Sequence, residues 1–182
     1  PVGFPNYEFE VQDSSYTGYY TFTARNSSGP GNLNWLALLD HHGELLWCSG
    51  ATTRQVDFHY QKAQKEYIYT GASPNNVFHI RLDSALNVID TISVSSFTLG
   101  DIHEHLRLPN GSTAIIGISD TIVDLSTMVF DGQAGSATTN LAANRIYEID
   151  PVNNVVFSWN GVHHIDPSEY TEGIGSYDPG FF

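Results

Sequence analysis

One pattern recurs three times along this chain with the same internal spacing: an apolar stretch ending in Asp, four turn-like residues, then a second apolar run. The first copy runs Ala37-Leu38-Leu39-Asp40, His41-His42-Gly43-Glu44, Leu45-Leu46-Trp47. The second is Ile80-Arg81-Leu82-Asp83, Ser84-Ala85-Leu86-Asn87, Val88-Ile89, and the third is Tyr147-Glu148-Ile149-Asp150, Pro151-Val152-Asn153-Asn154, Val155-Val156-Phe157. Each has the chemistry of a β-hairpin, because Asp bonds the backbone two residues on while Gly, Asn or Pro supplies the turn between two apolar strands. Asp40 and Asp83 are 43 residues apart, which is the length of one four-stranded propeller blade. Asp83 and Asp150 are 67 apart, so the third unit carries an insertion of about two dozen residues. The segment 119–142, crowded with Ser, Thr, Gly, Asp and Ala, is the expected site of that inserted loop.

A second feature keeps step with the first. Asp57-Phe58-His59 and Asp101-Ile102-His103 begin 17 and 18 residues after Asp40 and Asp83, and His163-His164-Ile165-Asp166 is a weaker echo after the third hairpin. Residues i and i+2 of a strand point to one face, so Asp and His of such a unit are expected side by side. On the innermost strand of a blade both would face the central channel. Leu108-Pro109-Asn110-Gly111 then gives a turn before Ala114-Ile115-Ile116. These signals predict an all-β chain, a single domain over residues 1–182 built of four-stranded antiparallel β-propeller blades, about three of them.

Composition agrees with strands and limits the partners. Tyr and Phe number 10 each and Gly 16, while runs of good helix formers are missing. Seven basic residues against 20 acidic ones give a net charge of −13, which repels nucleic acid and anionic lipid surfaces. No apolar stretch approaches the ~18 residues of a membrane span. The chain opens on Pro1, the expectation for a processed, excised or partial product. Low charge density with abundant Asn, Ser, Thr and Gly suggests an exported protein, extracellular or periplasmic, and the sequons at Asn26 and Asn110 matter only in a eukaryotic secretory pathway. Cys48, beside Trp47 in an apolar run, has no disulfide partner in the chain.

Among candidates for chemistry, His103 stands out because Asp101, Glu104 and His105 lie within five residues of it. A carboxylate can fix an imidazole tautomer and raise its basicity, the arrangement that acid-base or nucleophilic work needs. His59 has the blander alternative of a polar cap on an inner strand, and His41-His42 that of a solvated turn. His163 and His164 could reach the channel mouth. No closely spaced ligand set suggests a metal, and no phosphate loop, G-x-S-x-G elbow or H-E-x-x-H motif occurs.

The stretch from Asp101 to Ile116, Asp-Ile-His-Glu-His-Leu-Arg-Leu-Pro-Asn-Gly-Ser-Thr-Ala-Ile-Ile, resembles the central signature of the arylsulfotransferase family. Leu39 to Trp47, Asp124-Leu125-Ser126, Arg145 to Asp150 and Val155 to Ser168 follow in that family's order, so the resemblance covers about residues 17–182. It implies a six-bladed propeller, usually exported, of which this chain would be the N-terminal half. The activity it implies is transfer of a sulfuryl group from an aryl sulfate to a phenol by histidine chemistry, with no nucleotide donor and no cofactor. By the same resemblance His103 contacts the sulfate, Asp101 orients it, and His59, His105, His163 and His164 are candidates for substrate binding. The family completes its site with a His-x-Asn-Ser segment, a following Arg and a later His, which are expected beyond Phe182. A non-catalytic surface or matrix module is the rival expectation, with self-association through open sheet edges.

Overall fold

The computed structural model describes residues 4–10, 15–25, 33–73, 76–92, 99–130 and 133–166. Three antiparallel sheets follow one another along the chain. The first contains β1 (Tyr20–Arg25), β2 (Asn34–Leu39) and β3 (Leu45–Ala51). The second contains β4 (Arg54–Gln61), β5 (Glu66–Ser73), β6 (Asn76–Leu82) and β7 (Val88–Ile92). The third starts with β8 (Leu99–Arg107) and β9 (Thr113–Val123). A small hairpin of β10 (Val129–Phe130) and β11 (Gln133–Ala134) intervenes before β12 (Thr139–Ile149) and β13 (Val155–Asn160), giving the strand order β13-β12-β9-β8. In the first two sheets every neighbour is the next strand of an up-and-down meander, and in the third the small hairpin is inserted between the neighbours β9 and β12. The segment 119–142 holds the distal ends of β9 and β12, paired from Val123 opposite Thr139, with the small hairpin beyond them. Among the described residues no helix is long and apolar enough to cross a membrane.

The three Asp hairpins share one geometry. Asp40, Asp83 and Asp150 each donate their N–H to the carbonyl four residues on, at 3.0, 2.9 and 2.9 Å, and each accepts the N–H three residues on. The Oδ1 atom of each also accepts two backbone N–H groups, those of His42 and Glu44, of Ala85 and Asn87, and of Val152 and Asn154. Those donors hold all three carboxyls below the usual carboxylate range. The fourth residue of each turn, Gly43, Leu86 or Asn153, takes a left-handed φ of 83°, 66° or 65°. A register shift follows at the same place in each, between Leu38 and Leu39, Arg81 and Leu82, and Glu148 and Ile149. The backbone therefore repeats where only Asp is common to the three sequences.

The sheets stack in series, with β1 and β2 against β4, and β4, β5 and β6 against β8. Between the first two the filling is apolar: Leu36, Phe58, Ile80 and Leu82 are buried, flanked by Trp47, Tyr67, Tyr69 and Phe78. The far side of the first sheet is covered by the N-terminal segment, whose Phe4 meets Trp35 edge-on at 5.4 Å. Tyr7 donates its hydroxyl to the Gly43 carbonyl at 2.9 Å. All six residues of β2 are consequently buried. Among the described residues nothing covers the far side of the third sheet. Leu106, Ala114, Glu148 and Phe157 stand opposite one another across its four strands, and Ile116, Ile146 and Trp159 form the next row. Leu106, Ile146 and Phe157 on that face are 49, 41 and 51% exposed.

The shared turn predicts a specific sensitivity. Gly43→Ala puts a Cβ into the Phe9 side chain at a φ of 83°, and the left-handed backbone alone costs about 1–2 kcal/mol for a residue with a Cβ. Asn153→Gly, at a φ of 65°, leaves stability unchanged or slightly raised. Urea unfolding of both variants checks this, and an unchanged midpoint for Gly43→Ala contradicts the geometry.

A candidate functional site between the second and third sheets

Strand alternation gives the second sheet two different faces. Phe58, Tyr60, Tyr67, Tyr69, Ile80 and Leu82 point to the first sheet, and the intervening positions, His59, Gln61, Glu66, Thr70, His79 and Arg81, point to the third. The third sheet answers with His105 and Arg107 from β8, beside Thr113 and Ile115 of β9. Ile92, Ile115, Tyr147 and Ile149 close one end of this layer as an apolar cluster. The rest of it is a polar seam.

Gln61 ties the two sheets together. Its Nε2 donates to the His105 carbonyl at 3.2 Å and its Oε1 accepts the Arg107 N–H at 2.9 Å. Gln64 adds a bond to the Arg107 carbonyl at 3.3 Å. β8 is an edge strand, so these side chains satisfy backbone groups that no neighbouring strand reaches.

Two imidazoles meet beside Gln61. His79 Nδ1 and His105 Nδ1 are 3.2 Å apart, and the Thr70 hydroxyl is 3.2 Å from the same nitrogen of His79. Both rings are 1% exposed. One Nδ1 donates and the other accepts, which two neutral rings do and two imidazolium ions cannot. Burial, followed by coupling to the neighbouring rings of His79 and His59 and by the charges of Arg107 and Arg81, pushes the His105 pKa down to about 2.

The fixed charges of the seam balance. Arg81 grips Glu66 through two bonds, at 2.7 and 3.0 Å, and Asp90 through a third at 2.9 Å. Bonding to Glu66 raises its pKa further. Arg107 donates to Thr113 Oγ1 at 2.7 Å and lies 3.8 Å from Glu66; burial and then Arg81 lower its pKa, and a guanidinium still keeps its proton. Two guanidinium and two carboxylate groups thus offset one another, and the remaining carboxylate, Asp57, lies against His59.

His59 sits at the wetter edge, with its side chain 35% exposed. Its Nδ1 is 3.2 Å from Asp57 Oδ1 and 3.1 Å from the Asp57 carbonyl, and Gln61 Nε2 lies 3.4 Å from its Nε2. Nδ1–H donating to Asp57 and Nε2 accepting from Gln61 satisfies all of these contacts. The pair meets through a bulge and not along a regular strand: Asp57 has a φ of 56°, and Asp57 and Phe58 together oppose the single residue Tyr69. β8 is bulged in the corresponding unit, where 101–104 oppose the single residue Ile116. His103 and His105 consequently part: His103 is exposed and His105 is enclosed. The side chain of Asp101 lies outside the described residues.

His163 and His164 stand elsewhere, beyond β13, the opposite edge of the third sheet from β8. His163 closes a short 3-10 turn, Gly161–His163, and the His164 ring stacks on Trp159 at 5.3 Å. His41 and His42 pack ring on ring in the first hairpin, with centroids 3.8 Å apart. Among the described residues no group of three or more His, Cys, Asp or Glu converges as a metal site. Sequence reasoning missed His79, Gln61, Glu66 and Arg81. The available signal was Phe78-His79-Ile80-Arg81-Leu82, an apolar strand with titratable groups at every second position, a pattern that requires a polar partner wherever both faces are covered. Comparison with known proteins finds no family model and no curated protein that matches the chain.

Gln61→Leu leaves the Arg107 N–H and the His105 carbonyl stranded in the seam, at about 1–3 kcal/mol for each unsatisfied group. Gln64→Leu, which removes one longer and half-buried bond, costs less. Denaturant unfolding of the two variants decides the matter, and equal losses would mean that Gln61 does not join the sheets.

Proposed function

We propose that the chain is part of an exported β-propeller of the arylsulfotransferase type, with sulfuryl transfer at histidines on the first strands of its blades. The carrying observation is that β4 and β8, the first strands of consecutive four-stranded sheets, are both bulged at their Asp-x-His units. Bulges concentrate next to active sites because they turn a side chain out of the ladder. Series stacking of the meanders and their identical Asp turns support the blade reading.

In this reading His103 and His59 donate to the oxygens of a bound aryl sulfate, with Asp101 orienting His103 as Asp57 orients His59. A neutral imidazole nitrogen attacks sulfur, an N–S bond forms, and the bond from sulfur to the aryl oxygen breaks. The departing oxygen takes up a proton and leaves as a phenol. The acceptor phenol then attacks sulfur, gives up its proton and frees the imidazole. Charge spreads over the three remaining oxygens, where cationic and N–H donors act most strongly. His105, His163 and His164 are then supporting groups, His105 from behind the strand that carries His103.

The second reading, a non-catalytic module for adhesion or assembly, is favoured by the open face of the third sheet with its exposed Leu106, Ile146 and Phe157. Contiguous apolar surface of this kind marks interaction sites, and the free edge of β13 adds a second route to self-association.

Transfer from 4-nitrophenyl sulfate to phenol by the full-length protein of which this chain would be a part separates the two. Turnover by the wild type that falls about 10²–10³-fold in His103→Ala supports the enzyme, since that is the cost of losing one donor to a developing charge. A wild type that releases no 4-nitrophenol above buffer ends it. For the module, sedimentation at rising concentration shows association that Phe157→Glu weakens; a strictly monomeric wild type removes that reading.

A further inference from the structure

We propose that the seam between the second and third sheets is an acid-sensitive latch, in which His79 and His105 hold the sheets together as one neutral imidazole pair and a further proton drives them apart. This does not depend on the sulfuryl-transfer reading. It rests on the 3.2 Å approach of the two Nδ1 atoms, on their 1% exposure and on the engagement of Glu66 and Asp90 by the guanidinium groups.

Opposed Nδ1 atoms at hydrogen-bond distance share a single proton. A further proton on the accepting Nδ1 replaces that bond with two N–H groups pointing at each other, and one on the outer nitrogen of the donor ring keeps the bond; either adds a cation to an enclosed site. Groups facing the pair from each packed strand, among the described residues, are His59 of β4, Glu66 and Thr70 of β5, Arg81 of β6, Asp90 of β7, Arg107 of β8 and Thr113 of β9. Both carboxylates are already committed to guanidinium groups. Neither Arg81 nor Arg107 can lose its charge. His59, beside Asp57, adds to the repulsion when it is protonated. Among the described residues the third carboxylate near the seam, Asp57, lies against His59 and not against the pair, so opening to water is the available response to a charged pair.

The direction with pH follows. His105 titrates near 6.5 once exposed and near 2 when the seam is closed. Between those values the open form binds more protons, so closure is complete above about pH 6.5 and is lost progressively as pH falls. For one such group the opening equilibrium grows about 30-fold between pH 7.5 and 5. Ordinary carboxylates titrate below this window, which keeps the Asp turns and the Arg pairs out of it.

Hydrogen exchange read by mass spectrometry on the 182-residue chain tests the latch, after correction for intrinsic rates. Opening of β6 and β8 should rise about 30-fold from pH 7.5 to 5, with β2 and β3 of the first sheet rising less. His105→Gln and His79→Gln, each neutral and able to hydrogen bond, should abolish most of that rise. Equal protection of β6 and β8 at both pH values overturns the latch, and so does a wild-type response that persists in both variants. Should the variants fail to fold, the imidazole resonances of the wild type decide: a His105 ring that becomes charged near pH 6.5 while β6 and β8 stay protected refutes the proposal.

Discussion

A β-strand shows alternate side chains to opposite faces, and everything distinctive about this protein depends on how the second sheet uses that rule. It is covered on both sides, so it cannot send its polar residues to water. Aromatic and aliphatic groups go to the first sheet, and His, Gln, Thr, Glu and Arg go to the third. A purely apolar face would need only approximate shape matching. The polar face needs every donor to find its acceptor, and that requirement sets the angle and register at which the third sheet docks. Gln61 shows how: one amide satisfies a carbonyl and an N–H on the edge of β8, which it can do in only one relative position of the strands.

Buried ion pairs contribute little to stability on balance, because desolvating the charges offsets their attraction. The Arg81–Glu66–Asp90 cluster with Arg107 is accordingly better understood as a register device. Breaking it by removing a single partner would leave an uncompensated charge, whereas the complete set is neutral. Neutrality also explains the state of the histidines. With Glu66 and Asp90 committed to the guanidinium groups, burial dominates, and His105 stays unprotonated far below the range of an ordinary histidine.

What was legible in the sequence was local. Asp at the head of each turn is a short-range signal, since its carboxylate bonds N–H groups two and four residues on whatever surrounds it. All-β character and four-stranded meanders followed from hairpins and alternation. Leu86 at a left-handed φ was not legible, because nothing in its side chain favours that backbone; the Asp83 bonds and the packing of Leu86 on the core impose it. The seam was not legible either. His79 and His105 are 26 residues apart and on different sheets, and their meeting depends on how far the sheets are displaced, which no local pattern encodes. Strand periodicity even pointed the wrong way for β8, where regular alternation puts His103 and His105 on one face and the bulge at 101–104 separates them.

That separation shapes any chemistry the protein performs. A neutral imidazole is the reactive form for attack on sulfur, and His105 is the group most firmly held neutral, yet it is enclosed and engaged with His79. His59 and His103 have the reverse property, with solvent access. Division of labour follows. The enclosed pair holds β8 against β6 through a neutral contact, Gln61 ties β8 to β4, and the bulges on β4 and β8 carry the accessible histidines. Rigid support behind a donor is what would place it within tenths of an ångström of a developing charge, so in the proposed sulfuryl transfer the enclosed pair serves as the frame of the site.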